Sequence, residues 1–161
     1  MTRRPFTVLL AAALVLAPAA VRAQAFPVCT AGGDQLNVSA VPDGADGVYV
    51  AWKDGRNTTD ADVYAIRLKA DGQVVQGWPT SALQLASTVL AEAWPKLLAA
   101  PDGGAYVTWS IVGVQLRAQR LSADGDPLWG AGGMQLTTNQ TPPADGPFTS
   151  MALSANGGLL G

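Results

Sequence analysis

The sequence predicts an all-β chain assembled from repeated four-stranded antiparallel sheets. Three observations predict it: two segments that spell matching residues in the same order, period-2 alternation inside them, and a Gly- or Pro-bearing turn roughly every 8–12 residues. The first segment, residues 41–87, reads VPDGADGVYVAWKDGRNTTDADVYAIRLKADGQVVQGWPTSALQLAS, and the second, residues 100–138, reads APDGGAYVTWSIVGVQLRAQRLSADGDPLWGAGGMQLTT. Tyr49 matches Tyr106, Trp52 matches Trp109, and Trp78 matches Trp129. Ala65-x-Arg67-Leu68 matches Ala118-x-Arg120-Leu121, and Ala70-Asp71-Gly72 matches Ala123-Asp124-Gly125. The spacing between partners shortens along the segments, and each change falls between apolar runs, where loops tolerate it.

Each unit reads as four short strands, most clearly in the second copy. KLLAA, residues 96–100, is the first strand, and Pro101-Asp102-Gly103-Gly104 turns the chain because Pro presets φ and Gly permits positive φ. AYVTWSIV is the second strand, with Tyr106, Thr108 and Ser110 on one face and Val107, Trp109 and Ile111 on the other. VQLRAQRL is the third, followed by the turn Ala123-Asp124-Gly125-Asp126, and GMQLTTN is the fourth. TSALQLASTVLAEAW, residues 80–94, has helix-forming composition, but the repeat sets Leu83-Gln84-Leu85 against Met134-Gln135-Leu136 and so predicts strand and then loop. TPPADGP separates the second unit from a third, FTSMALSANGGLLG at residues 148–161, in which Asn156-Gly157-Gly158 stands for Asp102-Gly103-Gly104.

Four short strands in a unit of roughly 50 residues are the pattern of a β-propeller blade. The expected organisation is a signal peptide at residues 1–25 and a partial β-propeller at 26–161, with blade 1 at about 35–87, blade 2 at about 95–138 and a truncated third blade at about 147–161. A lone sheet has two faces to cover, so stacked units bury each other, and the recurring Trp52/Trp109 and Trp78/Trp129 are the expected packing groups between them. Two units and a stub do not close a ring of typically four to eight blades, so the sheet edges call for missing blades or self-association.

DGGAYVTW, DVYAIRL and ADGDPLWGAGG resemble the degenerate, Trp-rich blades of exported bacterial β-propeller repeat proteins, over residues 35–161. The resemblance implies the fold and leaves function open, because propellers host many activities. Ser122-x-Asp124-Gly125-Asp126-x-Leu128-Trp129 also resembles an Asp-box, departing at Asp126, where glycine is usual, and at Leu128, where threonine is usual. In that family the motif braces a hairpin away from the active site.

The N-terminus reads as an export signal. Arg3 and Arg4 precede an apolar run, Phe6 to Leu16, and Ala23-Gln24-Ala25 is an A-x-A cleavage site. The run is short of the roughly 20 residues of a membrane span, and Phe26-Pro27-Val28 before Cys29 lacks the small residues of a lipid-attachment site. The expected location is secreted, periplasmic or cell-surface, with no membrane span after cleavage. Loss of Arg3, Arg4 and Arg22 moves the net charge from −2 to −5, an acidic surface that argues against nucleic acid. Cys29 is the only cysteine, so no internal disulfide forms, and its expected place is that of a small buried residue.

The composition also restricts chemistry. There is no histidine, which excludes Ser-His-Asp and Cys-His catalysis and histidine-ligated metals, and Glu92 is the sole glutamate. Arg67 and Arg120 recur at one position, as structural residues do. No catalytic, cofactor or metal residue is therefore assigned. In DGRNTTDAD, residues 54–62, Asp54, Asn57, Asp60 and Asp62 offer oxygens to Ca²⁺, though without EF-hand spacing; the competing expectation is that Arg56 pairs with Asp54 or Asp62 and braces a long turn. Asn37, Asn57 and Asn139 head glycosylation sequons. The function these features imply is a non-catalytic exported scaffold or interaction module with a protein or carbohydrate partner. The alternative is a piece of a propeller enzyme, glycoside-active or, because LKADGQVVQGW resembles quinoprotein blade turns, quinoprotein-like, with its site in other blades.

Overall fold

The structure, a computed structural model, describes residues 25–57, 60–137, 151–155 and 158–160; residues 1–24 of the expected signal segment and the TPPADGP linker lie outside them. The described residues form no helix. One antiparallel sheet has the order β1 (Gln35–Pro42), β2 (Val48–Asp54), β3 (Asp62–Leu68), β4 (Leu83–Ala86). A second repeats it with β5 (Glu92–Ala99), β6 (Ala105–Ile111), β7 (Gln115–Leu121), β8 (Met134–Gln135). β9 (Ala152–Leu153) and β10 (Leu159–Leu160) pair as a hairpin, where the third unit's first two strands are expected.

The two sheets share their registers. Tyr49 lies opposite Arg67 in the first, and Tyr106 opposite Arg120 in the second. Their third strands end in the same turn: Lys69 N–H donates to the Gln73 carbonyl at 2.8 Å and Ser122 N–H to the Asp126 carbonyl at 2.9 Å. Ser122 Oγ also accepts from the Asp126 amide at 3.0 Å, which ties this turn a second time.

Two expected strand limits are corrected. β5 begins at Glu92, not Lys96, because a bulge between Ala93 and Lys96 lets the ladder run past Trp94-Pro95. A bulge leaves an unpaired residue, the place where a strand tolerates a proline without an N–H. β1 has the same irregularity between Leu36 and Ser39, and the backbone turns to positive φ at both, 53° at Asn37 and 52° at Trp94. The repeat therefore extends into the first strands, whose sequences look unrelated. Of the expected fourth strand GMQLTTN, whose last two residues lie outside the described ones, Met134–Gln135 form the strand, with Leu136 N–H adding one bond to the Leu116 carbonyl at 2.9 Å.

The sheets pack face to face. Tyr49, Ala51, Val63, Ala65 and Leu85 of the first meet Leu97, Ala105, Val107, Trp109 and Leu121 of the second in one buried cluster, which Trp78 completes. Period 2 then decides the fate of each tryptophan. Trp109 points into the gap between the sheets. Trp52 stands on the equivalent face of the first sheet, but that face is the outer one, so of the expected packing groups it does not enter this gap. It lies with Val50, Tyr64, Ile66 and Leu68 on the outer face of the first sheet, with Cys29 packed against it. The segment from Phe26 to Ala31 crosses this face as a strap, and the Phe26 ring rests on Gly72 so closely that a Cβ there would collide with it. On the far side of the second sheet, Thr108 Oγ1 donates to Met151 Sδ at 3.2 Å, which ties the β9–β10 hairpin to the face bearing Tyr106.

Candidate functional site

Four residues that identify the repeat, an Asp, a Tyr, an Arg and a Trp, come from separate elements and converge in each unit. In the first, Asp43 sits in the turn between β1 and β2, where its Oδ1 accepts the Ala45 and Gly47 amides, both at 2.8 Å. Its Oδ2 accepts Arg67 Nε at 2.8 Å. Burial alone would raise the Asp43 carboxyl, but the Ala45 amide, Arg67 and the Gly47 amide together hold it below the ordinary value. The Arg67 guanidinium lies 5.1 Å from the centre of the Tyr49 ring, and Tyr49 leans on Trp78 with centroids 5.7 Å apart. The second unit repeats the cluster: Arg120 pairs with Asp102 and stands 4.6 Å over Tyr106, which leans on Trp129 at 5.7 Å.

The first cluster reaches into the second sheet. Tyr49 Oη donates to the Gly103 carbonyl at 2.5 Å, Arg67 Nη1 to the Ala123 carbonyl at 3.0 Å, and Trp78 Nε1 to the same carbonyl at 2.9 Å. Three side-chain donors thus end on two backbone oxygens, in the two glycine turns of the next unit. The glycines are needed there: a Cβ at Gly125 would stand 3.1 Å from the Trp78 indole, and φ is +93°. Of the two arginines placed by sequence as structural, Arg67 is spent inside this clasp, and Arg120 is spent within its own unit on Asp102 and the Ala105 and Leu121 carbonyls.

The proposed calcium residues are not gathered into a ligand set. Asp54 is fully buried and committed, accepting Trp52 Nε1 at 2.6 Å and a two-pronged grip from Arg56, Nε at 2.9 Å and Nη2 at 2.7 Å. Burial would raise its carboxyl, but Arg56 and Trp52 outweigh this and hold it low. The Arg56–Asp54 brace expected from sequence is therefore present, with the guanidinium also 3.9 Å over the Tyr64 ring. Cys29 joins the rim of this knot, half-buried, with Arg56 Nη2 3.5 Å from its sulfur. Among the described residues no three His, Cys, Asp or Glu side chains are grouped to hold a metal ion.

Sequence reasoning missed a carboxyl pair where the sheets meet. Asp62 and Glu92 are both buried, at 1% and 0% exposure. Asp62 Oδ2 accepts Asn57 Nδ2 at 2.7 Å and Gln84 Nε2 at 2.8 Å, and Glu92 Oε1 accepts the Thr88 amide at 3.2 Å. Asp62 Oδ1 and Glu92 Oε2 have no donor. Burial first, then the neighbouring Asp62, raises the Glu92 carboxyl to about 7, against a partial offset from Thr88. The one available signal was the sole glutamate standing in an apolar stretch.

A groove of about 510 Å³ runs between β4 and the second sheet past Arg117 and Gln119. Both are engaged, Arg117 on the Gly132 and Gly133 carbonyls at 2.6 and 2.8 Å, Gln119 on the Gly130 carbonyl at 2.7 Å. No family model, curated protein or solved structure matches the chain.

Proposed function

We propose that this chain is an exported, non-catalytic repeat module of the β-propeller type, whose blades are the four-stranded sheets, serving as an interaction or cell-surface scaffold toward a protein or carbohydrate partner. One observation carries the reading: Tyr49, Arg67 and Trp78 give their polar hydrogens to carbonyls of the neighbouring unit. In the first unit the residues that define the repeat are consumed in joining it to the second, and in the second unit Arg120 is engaged by Asp102 and backbone carbonyls. Expressed with its own N-terminus in a Gram-negative bacterium, the chain should appear outside the cytoplasm, beginning at Phe26 or Gln24 by N-terminal sequencing. The purified chain should turn over no member of a chromogenic glycoside panel. An uncleaved cytoplasmic product would defeat the export reading, and turnover of any glycoside would defeat the scaffold reading.

A further inference from the structure

The junction of the two sheets holds two carboxyls with one orphaned oxygen each, Asp62 Oδ1 and Glu92 Oε2. Two buried acceptors without a donor are costly. A single hydrogen placed on Glu92 satisfies both. We propose that Glu92 is a protonated acid donating its Oε2–H to Asp62 Oδ1, so that one proton fastens the first sheet to the second and its loss loosens the joint.

The surroundings assign the proton to Glu92. Asp62 already accepts two amide hydrogens on Oδ2, from Asn57 and Gln84, which hold it in place. Glu92 accepts from Thr88, whose amide lies 3.2 Å from Oε1. Its own N–H donates to the Ala61 carbonyl at 2.7 Å, which fixes the start of β5 beside the start of β3. The elements around β5 bring few other charges. β1 and β6 carry no acid or base except the Tyr106 phenol, on the opposite face. β2 brings Lys53 and Asp54, the latter held by Arg56, and Arg67 of β3 is held by Asp43. In the adjoining loop Asp60 has its own partner, and Lys96 of β5 is exposed. The charge acting most directly on Glu92 is that of Asp62, which adds to the effect of burial. Gln115 stands in the second unit where the first has Asp62, and Gln35 in the first where the second has Glu92.

The sign follows from linkage. Folded Glu92 keeps its proton to about pH 7, whereas its ordinary value is 4.5, so the fold binds that proton about 300-fold more tightly. Between those pH values the folded chain carries more protons than the unfolded one, and stability falls as pH rises through the window, levelling off above it. Asp43, Asp54 and Asp102 are shifted down, so their contributions are lost only in acid, below the window.

Because Glu92 is the sole glutamate, carboxyl-¹³C glutamate labels one site in the full chain. Its NMR titration midpoint should lie near pH 7 and fall by a unit or more in Asp62→Asn. The melting temperature should drop by about 5 °C between pH 5 and pH 8, and Glu92→Gln, whose amide donates at every pH, should abolish that drop. A midpoint near 4.5, or an unchanged pH profile in Glu92→Gln, overturns the proposal. So does a midpoint that moves on adding Ca²⁺, since a cation would then be the bridge.

Discussion

Trp52 and Trp109 hold the same place in their units and have different surroundings. Trp52 lies under a short strap, its indole N–H bound by Asp54, itself gripped by Arg56. Trp109 is covered by a whole sheet, at 0% exposure, and its N–H has no acceptor, because Ile111 stands where the first unit has Asp54. An orphaned buried donor costs about 1–3 kcal/mol, while burying an indole contributes on the order of 4–6 kcal/mol. The ring therefore repays the loss of its polar partner once a sheet lies on it. Where only a strap is available, a polar knot supplements the packing.

The strongest way to break the comparison is to remove the rings. Trp109→Ala should destabilise the chain by about 3–5 kcal/mol, since rigid sheets on both sides cannot fill the void. Trp52→Ala should cost less, about 2–3 kcal/mol, because the strap can settle into the space. Urea midpoints of the two variants decide it, and equal losses would refute the distinction. A smaller difference should separate two equivalent glycines. Gly125→Ala forces both positive φ and a contact with Trp78, which its bond to Ala123 holds in place, for about 2–3 kcal/mol. Gly72→Ala meets Phe26, a ring 37% exposed on the free end of the strap, and should cost about 1 kcal/mol. Smallest is Tyr49→Phe, which keeps the ring and deletes one donor to Gly103, for about 1 kcal/mol by the same measurement.

Much of the architecture was legible from the chain. Alternation placed Tyr106 and Trp109 on opposite faces, and matched segments implied matched sheets. What escaped were features in which backbone geometry overrides residue type. Asn37-Val38 and Trp94-Pro95 share a bulge and no side-chain chemistry, so comparison of letters stopped short of β5's true start. Without that start, Glu92 read as a loop residue and its meeting with Asp62 was invisible. Asp62 itself was noticed as a calcium candidate; its actual neighbours, Gln84 and Glu92, arrive from strands distant in sequence. The Arg56–Asp54 brace was readable because it closes a local turn. The clasp was only half readable: recurrence marked Arg67 and Trp78 as structural and paired Tyr49 with Tyr106, but carbonyl acceptors carry no signature in a sequence.

The clasp has a direction. Its donors stand on one unit and its acceptors on the following one, so the two sides of the joint are unlike and no unit mates with its own mirror. Joints of this sort are heterologous, and a series of them turns by a constant step, closing into a circle or running on as a filament according to that step. The accepting side asks only for two exposed carbonyls and a glycine beneath an indole. Turn length on that side is accordingly free to vary, as VPDGADG and APDGG do, provided the turn keeps the aspartate that holds the arginine.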